Sequence, residues 1–131
     1  MTKSELAVSK HRNGYNCCQA VACSFAEELG MDERELYKVC EGFGGGMGTG
    51  LGVCGAMSGA AIAAGLVNSD GNIEHAGQTK AKSTRAAAQM QMEFVDRAGA
   101  LACKEIKMGK RTSCDECIAI AAEAVEKMLN K

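Results

Sequence analysis

Proline and tryptophan are absent from this 131-residue chain, and only three phenylalanines and two tyrosines are present. Strands draw on aromatic and β-branched residues, whereas Ala, Met, Leu, Glu and Lys predominate here, so the composition points to helices. Charge of one sign is also lacking: 15 basic against 16 acidic residues give a net charge of −1. That balance exerts no global pull toward nucleic acid or an acidic membrane, and neither is expected as a partner. Long hydrophobic runs are missing too. The longest uncharged apolar stretch, Val53 to Val67, is shorter than the roughly 20 residues of a membrane span and contains Gly55, Ser58, Gly59 and Gly65. It reads as a buried helix, with no membrane insertion. Met1-Thr2-Lys3-Ser4-Glu5 has no apolar stretch behind its charges, so a secretory signal is not expected and the cytoplasm is the expected compartment.

What the chain has instead is cysteine and glycine. Its length suits one domain, 1–131, and with 47% hydrophobic residues it can bury a core without disulfide staples. In a reducing compartment, eight cysteines then read as ligands, redox thiols or small buried hydrophobes rather than a structural framework. Gly42, Gly44, Gly45, Gly46, Gly48, Gly50 and Gly52 lead up to Cys54. A thiol where such a loop meets a helix is surrounded by free N–H donors that favour the thiolate.

Apolar periodicity predicts an all-α bundle of about five helices. One runs from Cys17 to Leu29 and is ended by Gly30, with a shorter amphipathic turn or two before it, broken near Asn13-Gly14. Asp32 starts the next, with Glu35 in capping-box register and Leu36, Val39, Cys40 and Phe43 as its buried stripe. The glycine-rich loop enters a central Ala/Gly-rich helix, about Val53 to Leu66. After the turn cluster Asn68-Ser69-Asp70-Gly71-Asn72, a long pattern runs from about Ile73 to Ile106, with Ala87, Met90, Phe94, Ala98 and Leu101 on one face. Ser113 and Glu116 mark the start of the last helix, which carries Ile118, Ala121, Ala122, Val125 and Leu129.

Cys114-Asp115-Glu116-Cys117 puts two thiols one turn apart at the positive end of that last helix. Lys104, Lys107, Lys110 and Arg111 lie just upstream and would further favour thiolates or an anionic cluster. Cys117 also continues an apolar stripe, so ligand and core residue are equally open for it. Thioredoxin-like chemistry needs a strand before the C-x2-C helix, and a zinc ribbon needs a second close pair; neither is present. Gly50-Leu51-Gly52-Val53-Cys54-Gly55 matches G-x-G-x-x-G but follows a helical segment and lacks the acidic partner, which excludes dinucleotide binding. Cys18, Cys23 and Cys40 read as core, His11 and His75 as surface residues, and Met90-Gln91-Met92 as helix core. What survives is a site assembled from distant cysteines.

Cys54-Gly55-Ala56-Met57-Ser58-Gly59, with Phe43-Gly44-Gly45-Gly46-Met47-Gly48 before it, Cys17 upstream and Cys103 and Cys114 downstream, resembles the C_GCAxxG_C_C family from about Asn16 to Leu129. These are small redox-active proteins with four motif cysteines, often encoded near transporter genes. Related domains lie beside cytochromes of anaerobes, where an iron-sulfur cluster has been suggested. The resemblance implies Cys17, Cys54, Cys103 and Cys114 as its metal ligands, and a transporter as an associated protein. The chain departs from the pattern by adding Cys18, Cys23, Cys40 and Cys117, so Cys18 is an alternative to Cys17 and Cys117 to Cys114.

Two chemistries are expected to compete. In the first, four thiolates hold an iron-sulfur cluster, N–H groups of the glycine-rich loop, with Gly52 and Gly55 as candidates, tune its sulfurs, and electrons pass to a redox partner protein. In the second, no metal is needed: Cys54 is the attacking thiolate, and Cys103, Cys114 or Cys117 resolves the mixed disulfide, with Cys114 the chosen catalytic companion. A structural zinc or metal-storing module, or a helical domain whose cysteines merely pack, are the blander alternatives. The Ala/Gly-rich helix leaves both a monomer and a homodimer open.

Overall fold

The computed structural model of the chain describes residues 1–109 and 112–130. Among them run α1 (Lys3–Arg12), α2 (Cys17–Cys23), α3 (Glu33–Cys40), α4 (Gly55–Asn68), α5 (Lys80–Ala98), α6 (Cys103–Gly109) and α7 (Cys114–Leu129). Short 3-10 turns, Glu41–Phe43 and Ile73–His75, and a glycine-rich turn, Gly44–Met47, complete the described regular structure. That last turn stands apart from the seven helices because Gly45 and Gly46 have left-handed backbones. The described β-pairing is one bridge between Val53 and Ala102. The chain is all-α, as its composition predicts.

The count of about five helices is corrected to seven, for identifiable reasons. Thr2 and Glu5 form a reciprocal capping box that turns the expected N-terminal fragment into a full helix, α1. The helix expected from Cys17 to Leu29 stops at Cys23. There the Ser24 hydroxyl donates back to the Ala20 carbonyl, 2.7 Å away, and tight turns carry the chain onward to Gly30. The long pattern from Ile73 to Ile106 is three pieces, because Gly99 sits at φ +94° and its N–H closes α5 on the Val95 carbonyl at 2.8 Å. Ala98 and Leu101 both face inward across that break, which is why the apolar periodicity runs through it.

Helix α4 is central, packing against α2, α5 and α7. Its buried Ala56, Gly59, Ala60, Ala63 and Ala64 keep that contact surface narrow. A Cβ on Gly59 would lie 2.7 Å from the Cys18 carbonyl oxygen, so α2 and α4 meet nearly backbone to backbone. Phe25, Phe94, Ile118 and Val125 fill the main core around them, and a smaller cluster of Cys18, Cys23, Leu36 and Cys40 joins α2 to α3.

Some expected core positions differ. Val39 is 53% exposed, because α2 covers only the Leu36–Cys40 side of the short α3. Met90 is buried, yet Met92 projects outward. His75 is exposed as expected, whereas His11 is half-buried with an unpartnered Nδ1. Among the described residues no helix is long and apolar enough to cross a membrane.

Candidate functional site

Four cysteines stand at four helix starts. Cys17 opens α2 behind the Asn16–Gln19 capping box, Cys54 immediately precedes α4, Cys103 opens α6, and Cys114 opens α7 behind the Ser113–Glu116 box. All four, together with Cys117 one turn into α7, line a single cavity of about 50 Å³. Lys107 contributes to the same wall. Cys54, Cys103 and Cys117 are buried, Cys17 is half-buried, and Cys114 is the exposed member.

Main-chain hydrogen bonds splice the glycine-rich segment to the start of α6 and thereby bring distant thiols together. The Gly50 and Gly52 N–H groups donate to the Gly45 and Gly46 carbonyls at 3.0 and 3.1 Å. Cys103 N–H then donates to Gly52, Lys104 N–H to Gly50 and Cys54 N–H to Leu101, at 3.0, 2.8 and 2.8 Å. Side chains would not fit in this splice. A Cβ on Gly55 would lie 2.7 Å from the Cys17 sulfur, so the absence of a side chain lets Cys17 approach. The Gly52 N–H is spent on Gly46, and Gly45 rather than Gly52 lines the cavity.

The electrostatics single out Cys54. A hydrogen bond from Cys117, then N–H groups of Ala56 and Met57, then the Lys107 charge, outweigh burial and hold its pKa down at about 7. Cys117 is pushed upward by its role as donor to Cys54 and by burial. Burial also raises Cys103 and Cys114, with Lys107 opposing it. Cys54 is thus lowered beside Cys103, Cys114 and Cys117, which are raised.

Three other cysteines lie elsewhere. Cys18, Cys23 and Cys40 are buried in the apolar cluster between α2 and α3, as the sequence predicts for them. Cys18 is raised by its hydrogen bond to Cys40 and by burial, and burial takes Cys23 to about 12. Among the described residues no three His, Cys, Asp or Glu side chains gather closely enough to hold a single metal ion. Of the upstream basic residues, Lys107 lines the cavity and Lys104 is exposed, while Lys110 and Arg111 lie outside the described residues. Sequence reasoning left Cys117 undecided; the structure places it in the cavity wall, one turn after Cys114.

The chain matches, over residues 15–129, the family described as "Putative redox-active protein (C_GCAxxG_C_C)". It belongs to the C_GCAxxG_C_C family. The match spans every helix except α1, and all five cavity cysteines fall within it. No curated protein and no solved structure matches this C_GCAxxG_C_C chain.

Proposed function

We propose that this protein holds an iron-sulfur cluster through Cys17, Cys54, Cys103 and Cys114 and exchanges electrons with a partner protein in the cytoplasm. The observation that carries the reading is the meeting of four helix starts, each bearing one of these thiols, around one cavity. Four cysteines are the common ligand set of such clusters, and helix starts carry partial positive charge that offsets an anionic group. A single zinc ion would draw its sulfur ligands to about 2.3 Å. The thiols here line one shared cavity, so a group bound in it would be within reach of them all. Bound there, a cluster would supply one-electron transfer at a potential set by exposure and by hydrogen bonds to sulfur. The chain's own part is to orient Cys54 with the Ala56 and Met57 N–H groups, to add the charge of Lys107, and to keep water from Cys54 and Cys103 by burial. Anaerobic purification with iron and sulfide analysis and optical spectroscopy tests it. A colourless protein with no iron after reconstitution would end the idea.

One observation favours a second reading: Cys54 and Cys117 line the same small cavity, and the influence of Cys117 lowers the Cys54 pKa to about 7. In that reading the Cys54 thiolate attacks a partner's disulfide, forming a mixed disulfide and expelling one partner thiolate. The Cys117 sulfur then attacks the Cys54 sulfur, expels the second partner thiolate and loses its proton to it, so the partner gains two electrons and a Cys54–Cys117 disulfide remains. Mass mapping of metal-free protein decides: one reducible Cys54–Cys117 linkage supports this couple, and scrambled linkages refute it.

A further inference from the structure

We propose that Met47, Leu51, Lys104, Lys107 and Met108 form the docking face for the electron-exchange partner, a protein whose own contact face is acidic around an apolar centre. The inference rests on the redox reading above. Lys107 lines the thiol cavity, and the glycine-rich segment that carries Met47 and Leu51 abuts the start of α6, where a Cβ on Gly46 would lie 2.8 Å from the Cys103 Cβ. Met47 packs its Cγ 3.3 Å from where a Gly52 Cβ would lie, and the Lys104 Cβ lies 3.5 Å from the same point on Gly50, so both flank Leu51. Lys104, Lys107 and Met108 follow i, i+3, i+4 spacing on α6 and share a face, with Glu105 about 60° beyond its Met108 edge. Lys107 belongs both to the exposed face and to the cavity wall, so a protein seated here would sit over the thiols.

Three observations point to an occupant. Met47, Leu51 and Met108 are 62, 72 and 71% exposed, large apolar side chains held in water on the glycine-rich segment and on α6. Met47 has φ +60° and is the only non-glycine residue with positive φ among those described. Such a backbone costs free energy, and no burial of its side chain offsets that cost, which marks a functional position. Neither Lys104 nor Lys107 forms an ion pair among the described residues, so their charge is free to meet carboxylates. Methionine at a contact surface adapts to its partner, and lysines at the rim steer an acidic protein to it.

The test uses a fluorescently labelled acidic flavodoxin as probe, with binding read by anisotropy and the redox centre read separately by reduction with dithionite. Binding is expected to weaken about tenfold on Lys104→Glu and with added salt, and several-fold on Leu51→Ser or Met47→Gly. Met47→Gly also separates docking from folding, because glycine accepts φ +60° and the variant should unfold no more easily than the parent. Binding that ignores these variants and salt, or equal binding of a basic cytochrome c, overturns the proposal. So does a dimer seen by light scattering that Met47→Gly dissociates, since a second copy would then cover the face. A dithionite-silent protein that binds the probe with the expected pattern would sink the cluster reading and leave the docking face standing.

Discussion

Cys54 is held by groups from three helices: its own N–H donors at the start of α4, the Cys117 thiol on α7 and the Lys107 charge on α6. Because its pKa lies below the ordinary thiol value, the thiolate population should rise as pH passes upward through about 7. In metal-free protein, site-resolved alkylation of Cys54 is expected to reach half its maximal rate near that pH, and Cys114 only at higher pH. Removing the donor with Cys117→Ala should shift the Cys54 midpoint upward; an unchanged midpoint would show that Cys117 does not act on it. The place of Cys54 at a helix start was legible in the sequence, since a glycine run there leads into an Ala/Gly-rich helix. The role of Cys117 was not, because one residue satisfied both an apolar stripe and the C-x2-C spacing, and only the packing of α7 against α4 decides between them.

Caps place the thiols at the scale of the element. Ser113→Ala should cost about 1 kcal/mol in urea unfolding, as loss of an N-cap does, and should loosen Cys114 beside it. Gly59→Ala is expected to cost more, about 1–3 kcal/mol, because its Cβ would press on main-chain oxygen of α2 that cannot rotate away. A variant as stable as the parent would mean that α2 and α4 are less closely packed. The starts of α3 and α7 could be read from Asp32 and from Ser113 with Glu116, since caps are local signals. The same signal lay in Asn16 and Gln19 before Cys17, and would have sharpened the α2 boundary. The start of α6 carried none: its N–H groups are satisfied by Gly50 and Gly52, some fifty residues earlier in the chain, which no local pattern encodes. Gly99 went unseen as a helix stop for a related reason, since apolar residues on both sides serve the same core.

For the whole molecule, the cavity ties together α2, α4, α6 and α7, so a group bound there joins parts of the fold that otherwise meet mostly by packing. Protein reconstituted with iron and sulfide should therefore unfold at a higher temperature than metal-free protein, measured by calorimetry under anaerobic conditions. Equal transition temperatures for the two would count against one shared site. The helical class was legible at this scale from the missing aromatics and prolines. That distant cysteines would share a site followed from the lack of close pairs, but which of the eight meet was legible only through family resemblance, because it depends on four separated segments closing on one another. That closure also has a place in time. Cys17 leaves the ribosome early and Cys114 late, so the pocket is finished only when the α7 segment has emerged, and until then the earlier thiols are open to any oxidant or stray metal in the cell. A cluster held as proposed would therefore be loaded only after the α7 segment has been made.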